Sequence, residues 1–582
     1  MTSNICQLHR CTSRVLSFLV AFSLLLAAMQ LRELARLHGS ALYNDDHRSH
    51  EYPSVGRKAL LSGEHQHLYM ELYISSTDAE SLGEVEPEYI SSTLDWWPLG
   101  TEAWGNASVL NADLRHPTLM AAARGLSPSF LRVGGTEADE ILYHMGVDHE
   151  GDGAVTDECQ RHPQRCLTGG KWDEVLNFAR DVGARIVFTV AYVRHTRDVE
   201  GNNDVMDWNP ANAWRLLEYT HANEEHASLG TVYGFELGNE LRHKGKMANV
   251  TRMVEAYQAL GRMTETIWGE GQHPRPKLLG PASTGSGGES SYLISQIGPH
   301  IDIATYHKYH GGRFDPNFPE RASRPSFYVH PENLSGPGEA VEQYMTTKDA
   351  GMASRLWMGE GAMAYNSGLP GVSDSFRGSL WFANLLGAFA KTKPLSHGVY
   401  CRQSLLGGHY ELVRHETMAP NPDYWVAHLW KELVDTKAVG PIISPGREDT
   451  VELSSWYTFG CCEEAYEDTV LIHSFCAKSD DKDGDVVFIV INISESMGIN
   501  LNITMGGDRT EYVLRPADAG EEGMRSREVL LNGRPMSIGS SGIIHPGVRE
   551  RGVSRVRNDL AHVPPISIAF VVVHGANVEE CQ

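Results

Sequence analysis

Apolar runs and amphipathic segments alternate along the chain from residue 89 to residue 438. Many of the runs are continuously apolar over strand length, which is typical of parallel strands buried on both faces. The predicted strands are Tyr89–Asp95, Phe130–Gly134, Arg185–Ala191, Val232–Gly238, Lys277–Gly280, Ile301–His307, Arg355–Gly359 and Gly398–Gln403. The predicted helices include Ala112–Gly125, Trp172–Val182, Ala211–His226, Thr251–Trp268, Ser373–Lys391 and Asp423–Val434. Eight such units predict an α/β fold, a (β/α)8 TIM barrel, with a doubly wound open sheet as the alternative.

The pattern changes after about residue 438, where short apolar runs are separated by Gly, Asp and Asn turns without a long helix. These runs are Val470–Phe475, Val486–Ile493, Glu511–Leu514, Val529–Leu531 and Ile566–Val573. Such a pattern predicts an antiparallel β-sandwich over residues 439–582. The early apolar stretch Tyr69–Ile74, within residues 66–88, has no partner in the barrel and is predicted to complete that sandwich.

The amino terminus carries a membrane signal. His9, Arg10 and Arg14 precede the apolar run Val15–Met29, so residues 1–29 are predicted to be a signal peptide or a signal anchor, with an amphipathic or core helix as the alternative. Residues 30–65 are polar and without period, and they are predicted to be a linker. We therefore expect entry into the secretory pathway, followed by an extracellular, lysosomal or vacuolar, or membrane-anchored location.

Sequons and cysteines agree with this route. Five Asn-x-Ser/Thr triplets are candidate glycosylation sites: Asn106, Asn249, Asn333, Asn492 and Asn502. Cys159 and Cys166 flank a short polar loop that a disulfide could bridge, whereas Cys476 and Cys581 lie near separate late strands and could staple the carboxy-terminal region. Spacing alone does not determine the pairing.

Composition narrows the classes of partner. The 582 residues contain 50 Lys and Arg against 74 Asp and Glu, a formal net charge of −24. Because binding of nucleic acid needs a basic face, no nucleic-acid partner is predicted. The nine cysteines show no metal-ligand spacing, so neither a metal nor a cofactor is predicted.

Reactive groups of a parallel barrel come from the carboxyl ends of its strands. The polar residues at those predicted ends are Asp95, Arg132, Asn239, Glu240, His307, Glu360, Arg402 and Gln403. Glu240 and Glu360 each follow an apolar run, on the predicted fourth and seventh strands, so they would face each other across the barrel mouth. Two such carboxylates suit glycoside hydrolysis, in which one donates a proton and the other attacks the anomeric carbon. The alternative is that either glutamate is a surface acid at a strand end.

Several ordered motifs make the chain similar to a known family. They are STLDWWP, FELGNE, TYHKYH, WMGEGAMAYNSG and VYCRQSLLGGHYELV followed by PNPDYW. Together they resemble glycoside hydrolase family 79, which contains animal heparanase and plant heparanase-like β-glucuronidases. The resemblance runs from about Tyr69 to the end of the chain.

The resemblance implies a retaining β-glucuronidase whose substrate is a carbohydrate bearing β-linked glucuronic acid. By motif, Glu240 would be the acid/base and Glu360 the nucleophile. Asn239 would bond the sugar 2-hydroxyl, and His307 would lie near the nucleophile side. Tyr306 and Tyr309 of the same motif are predicted to be packing residues.

The resemblance also implies a receptor for the uronic carboxylate, formed by the loop Asn366, Ser367 and Gly368 together with Tyr410. Consecutive backbone N–H groups can hold an anion, and the tyrosine hydroxyl adds a donor. Asp95 and Thr136 match positions that touch sugar hydroxyls.

Further implications concern the framework. Cys476 and Cys581 match a family disulfide. Animal heparanase carries an excisable linker where this chain has the short stretch 143–170, so a single-chain enzyme is predicted. Arg132 and Arg402 would orient the nucleophile or anchor the barrel mouth, and Trp96 and Trp97 would form a sugar platform or pack in the core.

Two other functions compete with this hypothesis. One is a catalytically silent glycan-binding homologue, which need not retain Asn239, Glu240 and Glu360. The other is a glycosidase of the same clan that acts on a neutral sugar, for which an anion receptor at Tyr410 would have no purpose.

Overall fold

The structure is a computed structural model. It describes residues 66–97, 101–146, 152–192, 208, 210–243, 248–269, 271, 273–284, 287–322, 327, 356–391, 397–440, 442, 470–479, 483–518, 521–545 and 547–582. The predicted signal segment, the linker and the sequon at Asn333 lie outside these residues. Among the helices of the described ranges, none is long and apolar enough to cross a membrane.

Eight parallel strands close into a barrel, which confirms the predicted fold class. In chain order they are Ile90–Asp95, Ser129–Gly134, Ala184–Val190, Val232–Leu237, Lys277–Ser283, Ile303–Gly312, Leu356–Tyr365 and His397–Arg402, named here β1 to β8. Each strand pairs with its neighbours in sequence, and β8 closes the barrel against β1. The open-sheet alternative is therefore wrong.

Helices surround the barrel. Those of eight residues or more are Pro117–Arg124, Asp152–Arg161, Gly169–Val182, Pro210–Ala222, Val250–Trp268, Gly287–Ile297, Phe376–Phe389 and Pro422–Leu433, and shorter ones are Glu224–Leu229, Phe318–Arg321 and Glu521–Arg525. Local signals mark several of their ends. Pro117 occupies the first turn after the cap His116, so the first helix begins later than predicted. Asn249 caps the helix Val250–Trp268, and its side chain accepts from the Arg252 N–H.

Short 3₁₀ turns join some of these elements. They are Thr136–Glu140, Pro163–Arg165, Gly298–His300, Val548–Arg551 and Glu579–Cys581. The turn Thr136–Glu140 matters for the site because it directly follows β2 at the barrel mouth. Residues 142–170 include the helix Asp152–Arg161 and a two-stranded pair, Leu142–His144 with Cys166–Thr168.

The carboxy-terminal region forms a large sheet and a small one. The large sheet contains Glu80–Glu84, Val434–Gly440, Val470–Ala477, Val486–Asn492, Arg509–Pro516, Val529–Leu531, Arg534–Pro535, Val553–Arg555 and Ser567–Val573. The small sheet contains Gln66–Leu72, Met497–Ile503 and Ala561–Val563, and a separate hairpin pairs Ser537–Ile538 with Ile544–His545. The large sheet is antiparallel, as predicted for the sandwich.

The strand before the barrel joins the small sheet in an unexpected orientation. Gln66–Leu72 pairs in parallel with Met497–Ile503, from Gln66 opposite Met497 to Leu72 opposite Ile503. A parallel pair needs a long connection, and the whole barrel lies between these two strands in sequence. Glu80–Glu84 then pairs antiparallel with Val434–Gly440, so both ends of the barrel segment meet in the sandwich.

The barrel helices and the large sheet share one core. Trp430 and Phe475 meet edge to face with ring centroids 4.9 Å apart. A Cβ on Gly387 would lie 2.3 Å from the His473 ring, so only glycine lets this helix approach the sheet so closely. His473 also bonds Asn384 across the same contact, at 2.9 Å.

Both predicted disulfides are present. Cys159 bonds Cys166 over a separation of 7 residues, and Cys476 bonds Cys581 over 105 residues. The second bond ties the end of the chain to a central strand of the large sheet. The remaining described cysteine, Cys401, is a free thiol buried in the barrel wall.

One predicted glycosylation site is wrong. Asn492 is fully buried, and its side-chain nitrogen donates to the backbone oxygens of Met497, Val563 and Pro564. A glycan on that nitrogen would break these bonds and has no room in the sandwich. Asn106 and Asn249 are exposed and Asn502 is partly exposed, so these positions have the surface access that a glycan needs.

Candidate active site

The two predicted glutamates meet at the mouth of the barrel. After β4 the chain turns through Gly238 (φ 70°), and Glu240 itself has a φ of 50°, a region that disfavours residues with a side chain. The Glu240 N–H donates to the Ala282 oxygen at 3.0 Å, which helps to hold this conformation. Glu360 lies within β7, opposite His307 of β6. One carboxylate oxygen of Glu240, one of Glu360 and a ring nitrogen of His307 all lie within 4.8 Å of one another.

Glu360 is buried among hydrogen-bond donors. The Arg132 guanidinium donates to its Oε2 at 3.0 Å, and the Tyr309 hydroxyl donates to its Oε1 in a short hydrogen bond. Burial, and next the Glu360 charge, raise the pKa of Tyr309 well above its ordinary value, so the phenol keeps its proton. The prediction that Tyr309 only packs is wrong, because its hydroxyl contacts the candidate nucleophile.

The alternation of side chains between the two faces of β6 explains the contact of Tyr309 with Glu360. The same alternation could have predicted this contact from the sequence. Thr305, His307 and Tyr309 are two residues apart, so their side chains share the inner face of the strand. Thr305 donates to Glu236 at 2.6 Å, His307 contacts Glu240, and Tyr309 donates to Glu360. Tyr306 points the other way and is fully buried in the hydrophobic core, as expected for packing.

Arg132 connects three groups of the site. Its guanidinium bonds Glu236 at 2.7 Å, Glu360 at 3.0 Å and the Asn239 side-chain oxygen at 2.8 Å. Burial acts to lower its pKa, but Glu236 and Glu360 raise it above the ordinary value, so the cation persists. Of the two roles predicted for Arg132, its position favours orienting Glu360.

Glu236 is a third buried carboxylate that the prediction missed. It has no exposed surface and accepts from Arg132, Thr305 and Thr189. Burial acts to raise its pKa, but Arg132 and His307 outweigh burial and hold the pKa of Glu236 below its ordinary value. The available signal was a single acidic residue inside the apolar run before GNE, a position where a charge requires a partner.

His307 lies closer to Glu240 than to Glu360. Its Nδ1 is 2.9 Å from Glu240 Oε1 and 3.9 Å from Glu360 Oε2. His307 is opposite Glu360 in the β6–β7 pairing, near the nucleophile as predicted, and its hydrogen bond goes to the candidate acid/base Glu240. Asn239 is held from a second direction, because its backbone N–H donates to the buried Asp139 carboxylate at 3.2 Å.

Asp95 ends β1 and is buried close to Glu360. Burial, and then the neighbouring Glu360 charge, raise the pKa of Asp95 to about 8, against an opposing hydrogen bond from Gln403. Gln403 Nε2 donates to Asp95 Oδ2 at 2.7 Å, and its amide oxygen accepts from Thr93 in a short hydrogen bond. Thr136 begins the 3₁₀ turn after β2, next to Gly135, which packs against the Asp95 carboxyl group.

The predicted anion receptor is a left-handed turn after β7. Asn366, Ser367 and Gly368 have φ values of 58°, 67° and 74°. The Trp104 indole donates to Ser367 Oγ at 2.9 Å, and the His409 N–H donates to Ser367 O at 2.7 Å. The loop is thus fastened directly beside Tyr410.

Tyr410 brings this loop to the rest of the site. Its ring lies 6.4 Å from that of Tyr309 and 6.2 Å from that of Trp104, and its hydroxyl is 3.4 Å from Gln403 Nε2. Burial, with Asp95 second, raises the pKa of Tyr410 well above its ordinary value, so it remains a hydrogen-bond donor. The sequence-predicted receptor residues therefore lie together, next to the paired carboxylates.

The remaining predicted residues are Arg402, Trp96 and Trp97. Arg402 pairs with buried Asp423 at 2.6 Å and stacks beside Trp381, so it anchors the barrel mouth. Trp96 is buried against Phe188 in the core. Trp97 is only partly buried and stacks on Trp104, with ring centroids 5.4 Å apart.

Glu240, His307 and Glu360 have the spacing of a metal site, but their partners oppose one. Both oxygens of Glu360 accept from Arg132 and Tyr309, and the guanidinium places a positive charge where a cation would bind. Mutual proximity of the two carboxylates is more simply explained by chemistry on a ligand between them.

A closed parallel barrel that brings a glutamate after β4 and a glutamate of β7 within 4.8 Å of each other defines a barrel glycoside hydrolase. The family model described as glycosyl hydrolase family 79, N-terminal domain, matches residues 71–387. The chain belongs to glycoside hydrolase family 79.

Named relatives span nearly the whole chain. Heparanase-like protein 3 of Arabidopsis thaliana is 27% identical, over 86% of this chain and 92% of its own length. Baicalin-beta-D-glucuronidase of Scutellaria baicalensis is 26% identical, over 87% of this chain and 93% of its own. Heparanase of Gallus gallus is 25% identical, over 86% and 95%.

Solved structures share the fold at lower identity. An alpha-L-arabinofuranosidase from Thermotoga maritima has a TM-score of 0.54 at 14% identity, covering 87% of this chain and 99% of that one. A 4-O-alpha-L-rhamnosyl-beta-D-glucuronidase from Fusarium oxysporum has a TM-score of 0.53 at 13% identity, covering 87% and 100%. At these identities the likeness concerns the fold alone.

Proposed function

We propose that this glycoside hydrolase is a retaining β-glucuronidase. Glu360 attacks the anomeric carbon while Glu240 gives its proton to the departing glycosidic oxygen, which forms a glycosyl-enzyme ester and releases the aglycone. Glu240, now a carboxylate, takes a proton from water as that water attacks the anomeric carbon. Glu360 leaves, and glucuronic acid is released with its original anomeric configuration.

The observation that carries the proposal is the separation of the carboxylates. Oxygens of Glu240 and Glu360 lie within 4.8 Å of each other. Retaining enzymes hold the two carboxyl groups about 5–5.5 Å apart, whereas inverting enzymes need about 6.5–9.5 Å to admit a water molecule. The short separation therefore favours direct attack by Glu360.

The surroundings suit these two roles. Arg132 and Tyr309 aim donors at Glu360, and these two hydrogen bonds fix the orientation of its carboxyl group. His307 bonds Glu240 and so holds the proposed acid/base in place. Asp95, which keeps a proton to about pH 8, adds no second charge beside the nucleophile.

Selectivity for a uronic acid is proposed from the loop Asn366, Ser367 and Gly368 with Tyr410. A neutral Tyr410 hydroxyl and the backbone N–H groups of the loop can donate to a carboxylate. The relatives named heparanase and baicalin-beta-D-glucuronidase support a glucuronide substrate for this chain as well.

A pair of matched substrates tests the proposal. The purified protein is expected to hydrolyse a chromogenic β-glucuronide at mildly acidic pH and to leave the matching β-glucoside intact. Glu360→Gln should abolish turnover, because an amide neither attacks carbon nor leaves as a carboxylate. Equal rates on both substrates would indicate a neutral-sugar glycosidase, and binding without turnover would indicate a silent glycan-binding protein.

We also propose that the protein enters the secretory pathway. The apolar segment Val15–Met29, the exposed sequons Asn106 and Asn249, and two disulfides support this location. Disulfides persist in oxidising compartments. Digestion with a glycosidase that removes N-glycans should shift the mass of the native protein, and an unshifted mass would contradict the proposal.

A further inference from the structure

The loop after β8 wraps around one buried carboxylate. Glu411 is 4% exposed, and its Oε2 accepts from the Gly407 N–H at 2.5 Å and from the His415 N–H at 3.0 Å. The ring Nδ1 of His415 lies 2.9 Å from the same oxygen. Residues 407–415 are therefore drawn together around the Glu411 side chain, which directly follows Tyr410 in the sequence.

Gly407 links Glu411 to the indole of Trp104. Gly407 has a φ of 93°, and a Cβ there would lie 2.3 Å from the Trp104 ring, so the backbone packs directly on the indole. Trp104 in turn donates to Ser367 Oγ at 2.9 Å. A continuous set of contacts thus runs from the Glu411 carboxylate to Ser367 of the proposed receptor.

Gly408 makes the corresponding contact with Tyr410. It has a φ of 79°, and a Cβ there would lie 2.5 Å from the Tyr410 ring. Its N–H donates to Ala103 O at 2.7 Å, and its own oxygen accepts from the Glu411 N–H at 3.2 Å. The backbone that supports the Tyr410 ring is therefore bonded on one side to Ala103 and on the other to Glu411.

His415 packs against the same turn as Gly407. Its side chain is 10% exposed, and a Cβ on Gly105 (φ 49°) would lie 3.0 Å from the ring. Gly105 directly follows Trp104 in the sequence. Both residues that donate to the Glu411 carboxylate therefore contact the segment that carries Trp104.

We propose that Glu411 and His415 are positioning residues for recognition of the uronic carboxylate. Glu411 holds the loop on which Tyr410 stands, and His415 completes the set of partners around the Glu411 carboxylate. A hydrogen bond from Tyr410 to the sugar carboxylate is made before the reaction as well as in the transition state. Its loss therefore weakens substrate binding more than the chemical step. The inference rests on the proposed β-glucuronidase activity and explains how its receptor is held.

The test measures kcat and KM for 4-nitrophenyl β-glucuronide. Glu411→Met keeps a similar side-chain length without the oxygen acceptors, and KM should rise about tenfold while kcat stays within about twofold. Glu411→Gln keeps an oxygen for the Gly407 and His415 N–H groups, so its KM should stay within about twofold of the parent value. His415→Leu removes only the ring contact with Glu411 and should raise KM about threefold to fivefold.

Asp485 in the sandwich supplies a matched control. It is 6% exposed, accepts from the Gly575 N–H at 2.8 Å and lies 3.2 Å from His574 Nδ1, so it makes the same two kinds of contact as Glu411. Asp485→Leu should lower the melting temperature, as Glu411→Met does, and should leave KM unchanged. The comparison separates loss of stability from loss of receptor geometry.

The outcomes also separate this inference from the proposed function. An unchanged KM in Glu411→Met and His415→Leu would overturn the inference, as would an equal rise in Asp485→Leu. A fall in kcat at unchanged KM would do the same, because that pattern indicates an interaction made only in the transition state. If Glu411→Met yields no folded protein, His415→Leu decides, since it keeps the bond from Gly407 to Glu411. Failure of the parent protein to hydrolyse the glucuronide would instead overturn the β-glucuronidase proposal.

Discussion

Replacing Asp95 by Asn is expected to stabilise the protein while impairing catalysis. Burial, and then Glu360, raise the pKa of Asp95 from 3.8 to about 8. The folded state therefore binds this proton more tightly than the unfolded chain does, and stability declines as pH rises from about 4 towards 8. Asparagine has nearly the same shape, can still accept from Gln403, and carries no charge at any of these pH values.

The magnitude follows from the pKa difference. One unit corresponds to about 1.4 kcal/mol, and pH 7 lies about three units above 3.8. At pH 7 Asp95 is ionised in the unfolded chain but protonated in the folded state, and this difference lowers the free energy of unfolding by roughly 4 kcal/mol relative to pH values below 3.8. Asp95→Asn should recover about that amount at pH 7 and almost nothing near pH 4. At the same time kcat/KM should fall, because Asp95 is proposed to bond a sugar hydroxyl.

The assay is thermal or urea unfolding of the parent and variant proteins between pH 4 and 8, combined with kinetics. Glu236→Gln is the control with the opposite sign. Burial acts to raise the pKa of Glu236, but Arg132 and His307 outweigh burial and hold it below the ordinary value, so the Glu236 charge favours the folded state and its removal should lower stability at pH 7. An Asp95→Asn variant that is less stable than the parent at pH 7, or that keeps the same pH dependence, would refute the reasoning.

Other predictions concern the catalytic pair and the framework. Glu240→Ala should lose most activity, and azide should restore turnover of an aryl β-glucuronide by forming the β-glucuronosyl azide; no rescue would argue against Glu240 as the acid/base. Tyr309→Phe should lower kcat by about tenfold to a hundredfold, because Glu360 loses a charge-assisted hydrogen bond, and an unchanged kcat would make that contact incidental. Cys476→Ser should cost about 4–5 kcal/mol and Cys159→Ser about 2 kcal/mol in unfolding measurements, since the first bond closes a loop of 105 residues and the second a loop of 7. Equal losses would contradict the loop-entropy argument.

Local patterns were sufficient for the barrel and for its paired acids. A parallel strand in a barrel is buried on both faces, so its sequence is a continuous apolar run. Such runs alternate with amphipathic segments along this chain. Glu240 and Glu360 each follow such a run. Because all strands of a parallel barrel point the same way, both residues are expected at the same end of the barrel. Both disulfides lie where the cysteine positions suggested.

Long-range contacts decided what those patterns left open. Tyr309 was predicted to pack because an aromatic residue in a strand usually packs in the core. Only the position of Glu360 across the β6–β7 pair makes its hydroxyl a hydrogen-bond donor to Glu360. Glu236 was overlooked because its partner Arg132 is 104 residues away in sequence. Asn492 matches a glycosylation triplet, yet the chain folds it inside the sandwich.

The sequence by itself determined which segments become strands and that an acid follows the apolar run in two of them. These properties depend on the burial and turn preferences of neighbouring residues. The tertiary structure decided which donor faces which carboxylate, how many charges share Arg132, and that Asp95 keeps its proton. Those properties depend on distances between residues far apart in the chain and on the exclusion of water, which exist only after the barrel has closed.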